Sequence, residues 1–156
     1  PRPFWGQSFV TPEAIAAWIA SRFDDVHPKS SWGEPSFFVN PGQSLPSGAY
    51  FATIKEKDGD NDKASDLDRA EVFRLNFGPG KPAFQTVFGD APARPPKGGV
   101  IEGPWDFTAL NQLIPHPVYG WMGWMCVLNP SQTTLSEIEP LLIAAYDKAR
   151  TTVDKR

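Results

Sequence analysis

Residues 72–77 read VFRLNF, the clearest period-two alternation in the chain. In an extended strand Phe73, Leu75 and Phe77 fall on one face, and Arg74 and Asn76 share the other with Val72. Such a strand is half buried, so apolar elements must cover its aromatic face.

The flanking segments supply them. Upstream, AYFATIKEK (49–57) reads as a second strand, with Ala52 and Ile54 inward and Thr53 and Lys55 outward. A polar loop, DGDNDKASDLDR (58–69), joins the two. SFFV (36–39) is a short strand candidate inside a Pro-, Gly- and Ser-rich stretch from 27 to 48, and NPGQSLPSG (40–48) is turn material. Before it, TPEAIAAWIASRF (11–23) predicts a helix. Thr11 is a good N-cap, Pro12 suits the first helical position, and Ile15, Trp18, Ile19 and Phe23 share one face.

Downstream, GPGKPAFQTVFG (78–89) predicts a turn and a short helix that buries Phe84, Val87 and Phe88. DAPARPPKGG (90–99) is an exposed loop by composition. VIEGPWDFTALNQLI (100–114) suggests a strand or loop followed by a helical turn near 107–113. YGWMGWMCVLN (119–129) is a buried strand by composition. TLSEIEPLLIAAYDKAR carries capping-box spacings at Thr134/Glu137 and Ser136/Glu139, and Pro140 places the start of its helix close to 140. The order predicts an α+β fold, a single antiparallel sheet with N- and C-terminal helices packed on one face. The expected organisation is a flexible arm over 1–10, one domain over 11–152 and a frayed tail over 153–156.

The totals narrow the function. The chain has 156 residues, which fits one domain. Its formal net charge is −3 and its pI about 5.3, so the balance lacks the basic excess of a dedicated nucleic-acid binder. The single Cys126 excludes an internal disulfide. Neither a leader nor a membrane-length apolar run is evident, and a soluble cytoplasmic protein is the expectation.

No motif names a reaction. Asp58, Asp60 and Asp62 mimic the first ligands of an EF-hand loop, but Lys63 stands where glycine is needed and Arg69 where a bidentate Glu is needed. A hairpin tip fits better, with Asp66 and Asp68 pairing locally with Arg69. Cys126 sits in an apolar strand, unlike a reactive thiolate. Two histidines 89 positions apart match no close-spaced metal pattern, and nothing implies a cofactor. The segment HPVYGWMGWMCVLNP (116–130) is the strongest candidate surface. In a strand, Trp121, Gly123, Met125 and Val127 point one way and Met122, Trp124, Cys126 and Leu128 the other. If strand 72–77 is a neighbour, Arg74 and Asn76 border the second face, and His116 and Tyr119 stand at its mouth. Apolar walls with a few convergent polar groups are pocket chemistry, whereas a plain aromatic core would use the same residues.

KASDLDRAEVFRLNFG, VFGDAPARPPKGG and HPVYGWMGWMCVLNP resemble a family of small bacterial proteins known only as a domain of unknown function, over most of the chain after about residue 11. The element order is more distantly similar to the MmcQ/YjbR group. That resemblance implies an α+β fold and raises a double-wing DNA-binding role, and it brings no catalytic residues. The sequence therefore favours a non-enzymatic module that binds a small ligand or a protein partner through Arg74, Asn76, His116, Tyr119, Trp121 and Trp124. Nucleic-acid binding through Lys55, Arg69 and Arg74, and an enzyme using His116 as general acid or base, are the alternatives.

Overall fold

A computed structural model describes residues 10–31, 34–43, 45 and 48–155. The arm expected over 1–10 lies, apart from Val10, outside the described residues. Eight main elements follow in order: α1 (Pro12–Arg22), β1 (Val26–Ser31), β2 (Glu34–Val39), β3 (Ala49–Lys55), β4 (Arg74–Phe77), α2 (Lys81–Phe88), then β5 (Leu113–Pro115) and β6 (Met125–Leu128), and a closing ninth, α3 (Gln132–Asp154). The six strands form one antiparallel sheet in the order β1-β2-β3-β4-β6-β5. The expected α+β architecture is the one observed. Among the described residues, no helix is long and apolar enough to cross a membrane.

VFRLNF is the hub of this sheet. Leu75 pairs with Ile54 on one side and Val127 on the other, and Phe77 pairs with Ala52 and Met125. Their side chains form one continuous core with Ile15 and Ile19 of α1, Phe84 of α2, and Leu135, Ile138, Leu142 and Ala145 of α3. Thr11 caps α1 by accepting from the Ala14 amide at 3.1 Å. Val87, expected in the buried stripe of α2, is instead exposed.

Three further expectations are corrected. The stretch after residue 26 is not all loop. Val26–Ser31 forms β1, and Pro28 is tolerated there because β1 is an edge strand. No helical turn forms near 107–113. Asn111 donates to the Leu128 carbonyl at 2.6 Å, and the chain runs straight into β5. The C-terminal helix starts at Gln132, capped by Ser131 Oγ on the Thr134 amide at 3.2 Å, and carries Pro140 inside it. An interior proline costs about 3 kcal/mol. Burial of Leu135, Ile138 and Leu142 on both sides of it offsets that cost, at roughly 1.5–3 kcal/mol per side chain. The helix also continues through Asp154 with Val153 buried, into the stretch expected to fray.

Candidate functional site: the open face of the sheet

The second face of the sheet carries Ser36, Thr53, Asn76, Cys126 and Ile114 in one row across β2, β3, β4, β6 and β5, paired strand to strand. Lys55, Arg74 and Leu128 form the adjacent row. Loops cover the β6 end, where Leu67, Ile114, Cys126 and Leu128 make a small second core with Val72, Trp105 and Phe107. The β2–β3–β4 end stays open. A cavity of about 620 Å³ lies over it, within the range of small-molecule sites.

Arg74 lies behind the lining residues Asp62 and Asn76, bonded to both, and is 0% exposed. Every edge of its guanidinium is engaged. Nε donates to Asn76 Oδ1 at 2.6 Å, Nη1 to Asp62 Oδ1 and to Ser65 Oγ, each at 3.0 Å, and Nη2 to Asp62 Oδ2. The bidentate pair with Asp62 is the strong geometry for a buried arginine. Asp62 reaches it because Gly59 and Asp62 close a tight two-residue turn, which folds the polar loop back over the sheet. Asp58, Asp66 and Asp68 fix that loop, Asp66 alone through the expected pairing with Arg69. Asp58 Oδ1 accepts from the Leu67 amide at 2.8 Å, Asp68 Oδ1 accepts from the Asp58 amide at 3.1 Å, and Arg69 pairs with Asp66 at 3.8 Å.

His116 is 3% exposed and lines the cavity. Its Nδ1 accepts from the Val118 and Tyr119 amides, both at 3.1 Å. Burial pushes its pKa well below the ordinary 6.5, and the nearby cations Arg74 and Lys55 push it further down. The ring is therefore neutral near pH 7. The sign of the pH dependence follows. Below pH 6.5 the unfolded chain takes up a proton that folded His116 refuses, so acid favours unfolding. Stability should be full above about pH 6.5 and fall by up to about 1.4 kcal/mol per pH unit below it, until the folded pKa is reached. Thermal unfolding of the wild type and His116→Gln between pH 7.5 and 5 measures this. The wild type should lose the extra increment and the variant should not.

The wall opposite is aromatic. Phe38, Tyr50 and Trp124 run in a row across the sheet, with ring centroids 5.6 Å apart at each step. Tyr50 reaches this face through a β-bulge. Phe37 pairs with Ala52 and Phe38 with Tyr50, so Phe51 is an extra residue in β3. Phe51 stays in the helix-side core, and Tyr50 turns outward, 53% exposed. Trp124 lies flat over Gly78. A β-carbon on Gly78 would stand 2.6 Å from the indole Nε1. Gly78→Ala should therefore displace the indole and remove the wall at a cost of about 1–3 kcal/mol. A shift in Trp124 emission would report it. Tyr119 (48% exposed) and Met122 (43%) complete the rim.

The sequence-based residues divide as follows. Asn76, His116, Tyr119 and Trp124 line the cavity. Arg74 lies behind Asp62 and Asn76, bonded to both. Trp121 is elsewhere, with the Arg94 guanidinium stacked 4.8 Å from its ring. The expectation failed because 119–129 is not one strand. A 3-10 turn over Gly120–Met122 and a left-handed Gly123 (φ 92°) precede β6, so the alternation holds only from Trp124 to Leu128. Cys126 is sealed under the cavity, and burial pushes its thiol up to about 12. Sequence reading did not place Glu34, Ser36, Phe38, Tyr50, Thr53 or Asp62 at this site, and it gave Lys55 only to the nucleic-acid alternative. The outward placement of Thr53 and Lys55 was legible, whereas the Lys55–Glu34 pair at 2.9 Å was not.

A model of a family described as a family of unknown function (DUF6194) matches residues 10–156. No curated protein and no solved structure matches the chain.

Proposed function

The chain belongs to the DUF6194 family of unknown function, and from the geometry of its open sheet face we propose that it is a non-enzymatic module that binds a small, partly aromatic molecule. The observation that carries this reading is the coincidence in one cavity of an exposed aromatic row and a buried, hydrogen-bonded polar floor. Three of the exposed large apolar side chains, Tyr50, Tyr119 and Met122, gather at its rim. Isolated exposed apolar residues need no explanation, whereas a cluster around a concavity marks a binding surface.

The cations inside are paired. Lys55 faces Glu34, and Arg74 faces Asp62. Both pairs weigh against nucleic-acid binding, which needs free cations beside the aromatic groups. Arg69 is likewise occupied, donating to the carbonyls of Asp66, Ser65 and Thr108. The double-wing DNA-binding role implied by the likeness to the MmcQ/YjbR group loses support for the same reason. Acid–base catalysis by His116 is disfavoured because its Nδ1 lone pair is used by the backbone and its ring is neutral.

Tyr50→Ala provides the test. The residue is half exposed, so its loss should change Tm by less than about 2 °C. A metabolite panel read by tryptophan emission and by Tm should contain compounds that shift the wild type and leave Tyr50→Ala unmoved. A panel that moves neither protein would contradict the proposal.

A further inference from the structure

We infer that the ligand of this cavity is a nucleoside: a planar base joined to a sugar with free hydroxyls, carrying no phosphate. The inference rests on the binding role proposed above and names the class of its ligand.

The open face is graded along its strands. On β2, Phe38, Ser36 and Glu34 alternate onto it; on β3, Tyr50, Thr53 and Lys55 do so across the bulge. Residues two apart on a strand are spaced about 7 Å. The aromatic row of Phe38, Tyr50 and Trp124 is therefore followed by a hydroxyl row, Ser36 paired with Thr53, and then by the ion pair of Glu34 and Lys55. All of these residues line the one cavity. A base stacked on Tyr50 and Trp124 holds its sugar over the hydroxyl row, because its centre lies about one row spacing from the far sugar hydroxyls. Stacking accepts any base, since each has a π-face.

The polar end offers both signs of hydrogen bond. Ser36 is 5% exposed, and its hydroxyl has no hydrogen-bond partner among the described residues. Thr53 Oγ1 accepts from Asn76 Nδ2 at 3.0 Å and keeps its proton to donate. Lys55 gives one N–H to Glu34 Oε2 and keeps two. On the acceptor side, Glu34 Oε1 and the Asp60 carboxylate have no partner among the described residues. A ligand carbonyl uses only the donors, and an ammonium only the acceptors. A hydroxyl donates one proton and accepts with two lone pairs, so a sugar diol uses both. The Ser36 hydroxyl gains most from such a contact, because a buried hydroxyl left unsatisfied is costly.

The charge balance disfavours a phosphate. Glu34, Asp60 and Asp62 line the cavity, with Lys55 the one lysine or arginine among the lining residues. Lys55 and the Arg74 behind Asp62 are each spent on a carboxylate, which leaves Asp60 uncompensated. A phosphate would meet net negative charge and no unpaired cation in the lining.

Protein labelled with ¹⁵N in its tryptophans is titrated with adenosine, guanosine, cytidine and uridine, and with 2-naphthamide as a planar ring without hydroxyls. At least one nucleoside should move the Trp124 indole. Its 2′,3′-dideoxy form should bind about tenfold or more weakly, the loss of at least one hydrogen bond, and its 5′-monophosphate should also bind more weakly. Ser36→Ala should weaken the nucleoside about tenfold and leave 2-naphthamide unchanged. A dideoxy form as tight as its parent, or a nucleoside indifferent to Ser36→Ala, overturns the hydroxyl assignment. A monophosphate tighter than its nucleoside overturns the exclusion of phosphate. If 2-naphthamide moves the indole and no nucleoside does, the nucleoside assignment fails and the binding role stands. If no probe moves the indole, both fail.

Discussion

Arg74→Met should be among the most damaging single substitutions in the chain. It removes a guanidinium that is 0% exposed and leaves Asp62, Ser65 and Asn76 with acceptors aimed at nothing. Breaking a buried pair from one side typically costs about 3–5 kcal/mol, because the remaining charge is stranded. For a chain of this size that is a fall in Tm on the order of 10 °C. Arg74→Lys keeps the charge but cannot span both carboxylate oxygens, so it should recover only part of the loss. Asp62→Asn in the Arg74→Met background should recover more than Arg74→Lys, since no uncompensated charge then remains. Thermal unfolding of the four proteins reads these differences. A loss of less than 2 °C for Arg74→Met would mean that water reaches the guanidinium.

Gly123→Ala attacks the same site through the backbone. Gly123 sits at φ 92°, where an L side chain is strained by about 1–3 kcal/mol. Its new β-carbon would also stand 2.6 Å from the Gly80 carbonyl carbon and 2.7 Å from the Lys81 amide nitrogen. Those atoms begin α2 and cannot rotate away as a side chain can. Strain and overpacking together should cost roughly 2–5 kcal/mol. The displacement falls between Tyr119 and Trp124, so any residual folded protein should also lose its response to ligand. Gly123→Ala at wild-type Tm would show that the turn before β6 is not held against α2.

The backbone of this fold was legible where period and polarity agree. Phe73, Leu75 and Phe77 alternate with Arg74 and Asn76, and that gives a strand with one apolar and one polar side; its central place in the sheet, with both sides buried, comes from the pairing with β3 and β6. The helix over 12–22 was equally legible from Thr11 and Pro12. Failures arose where tertiary burial outweighed a local rule. Pro28 and Pro140 read as breaks, yet one lies in an edge strand and the other inside a long helix whose flanking residues are buried.

The site was half legible for a similar reason. Asn76 and Trp124 were assigned by alternation along their strands, and His116 by its place at the start of the aromatic segment. Tyr50 was hidden by the bulge at Phe51. By strict alternation it belongs with Ala52 and Ile54, and only the extra residue turns it to the open face. Asp62 was hidden as one of five aspartates in 58–68, and nothing local distinguishes the one that reaches Arg74. Trp121 was misplaced because Gly120 and Gly123 permit a turn inside what composition alone reads as a strand.

The most direct measurement is a map of amide and indole shifts in uniformly ¹⁵N-labelled protein titrated with 2-naphthamide. Perturbations should gather on Phe38, Tyr50, Thr53, Asn76, Tyr119 and the Trp124 indole, and spare Trp121, α1 and α3. Perturbations centred on Trp121 and Arg94, or on the helical layer with the open face silent, would contradict a binding site on this side of the sheet.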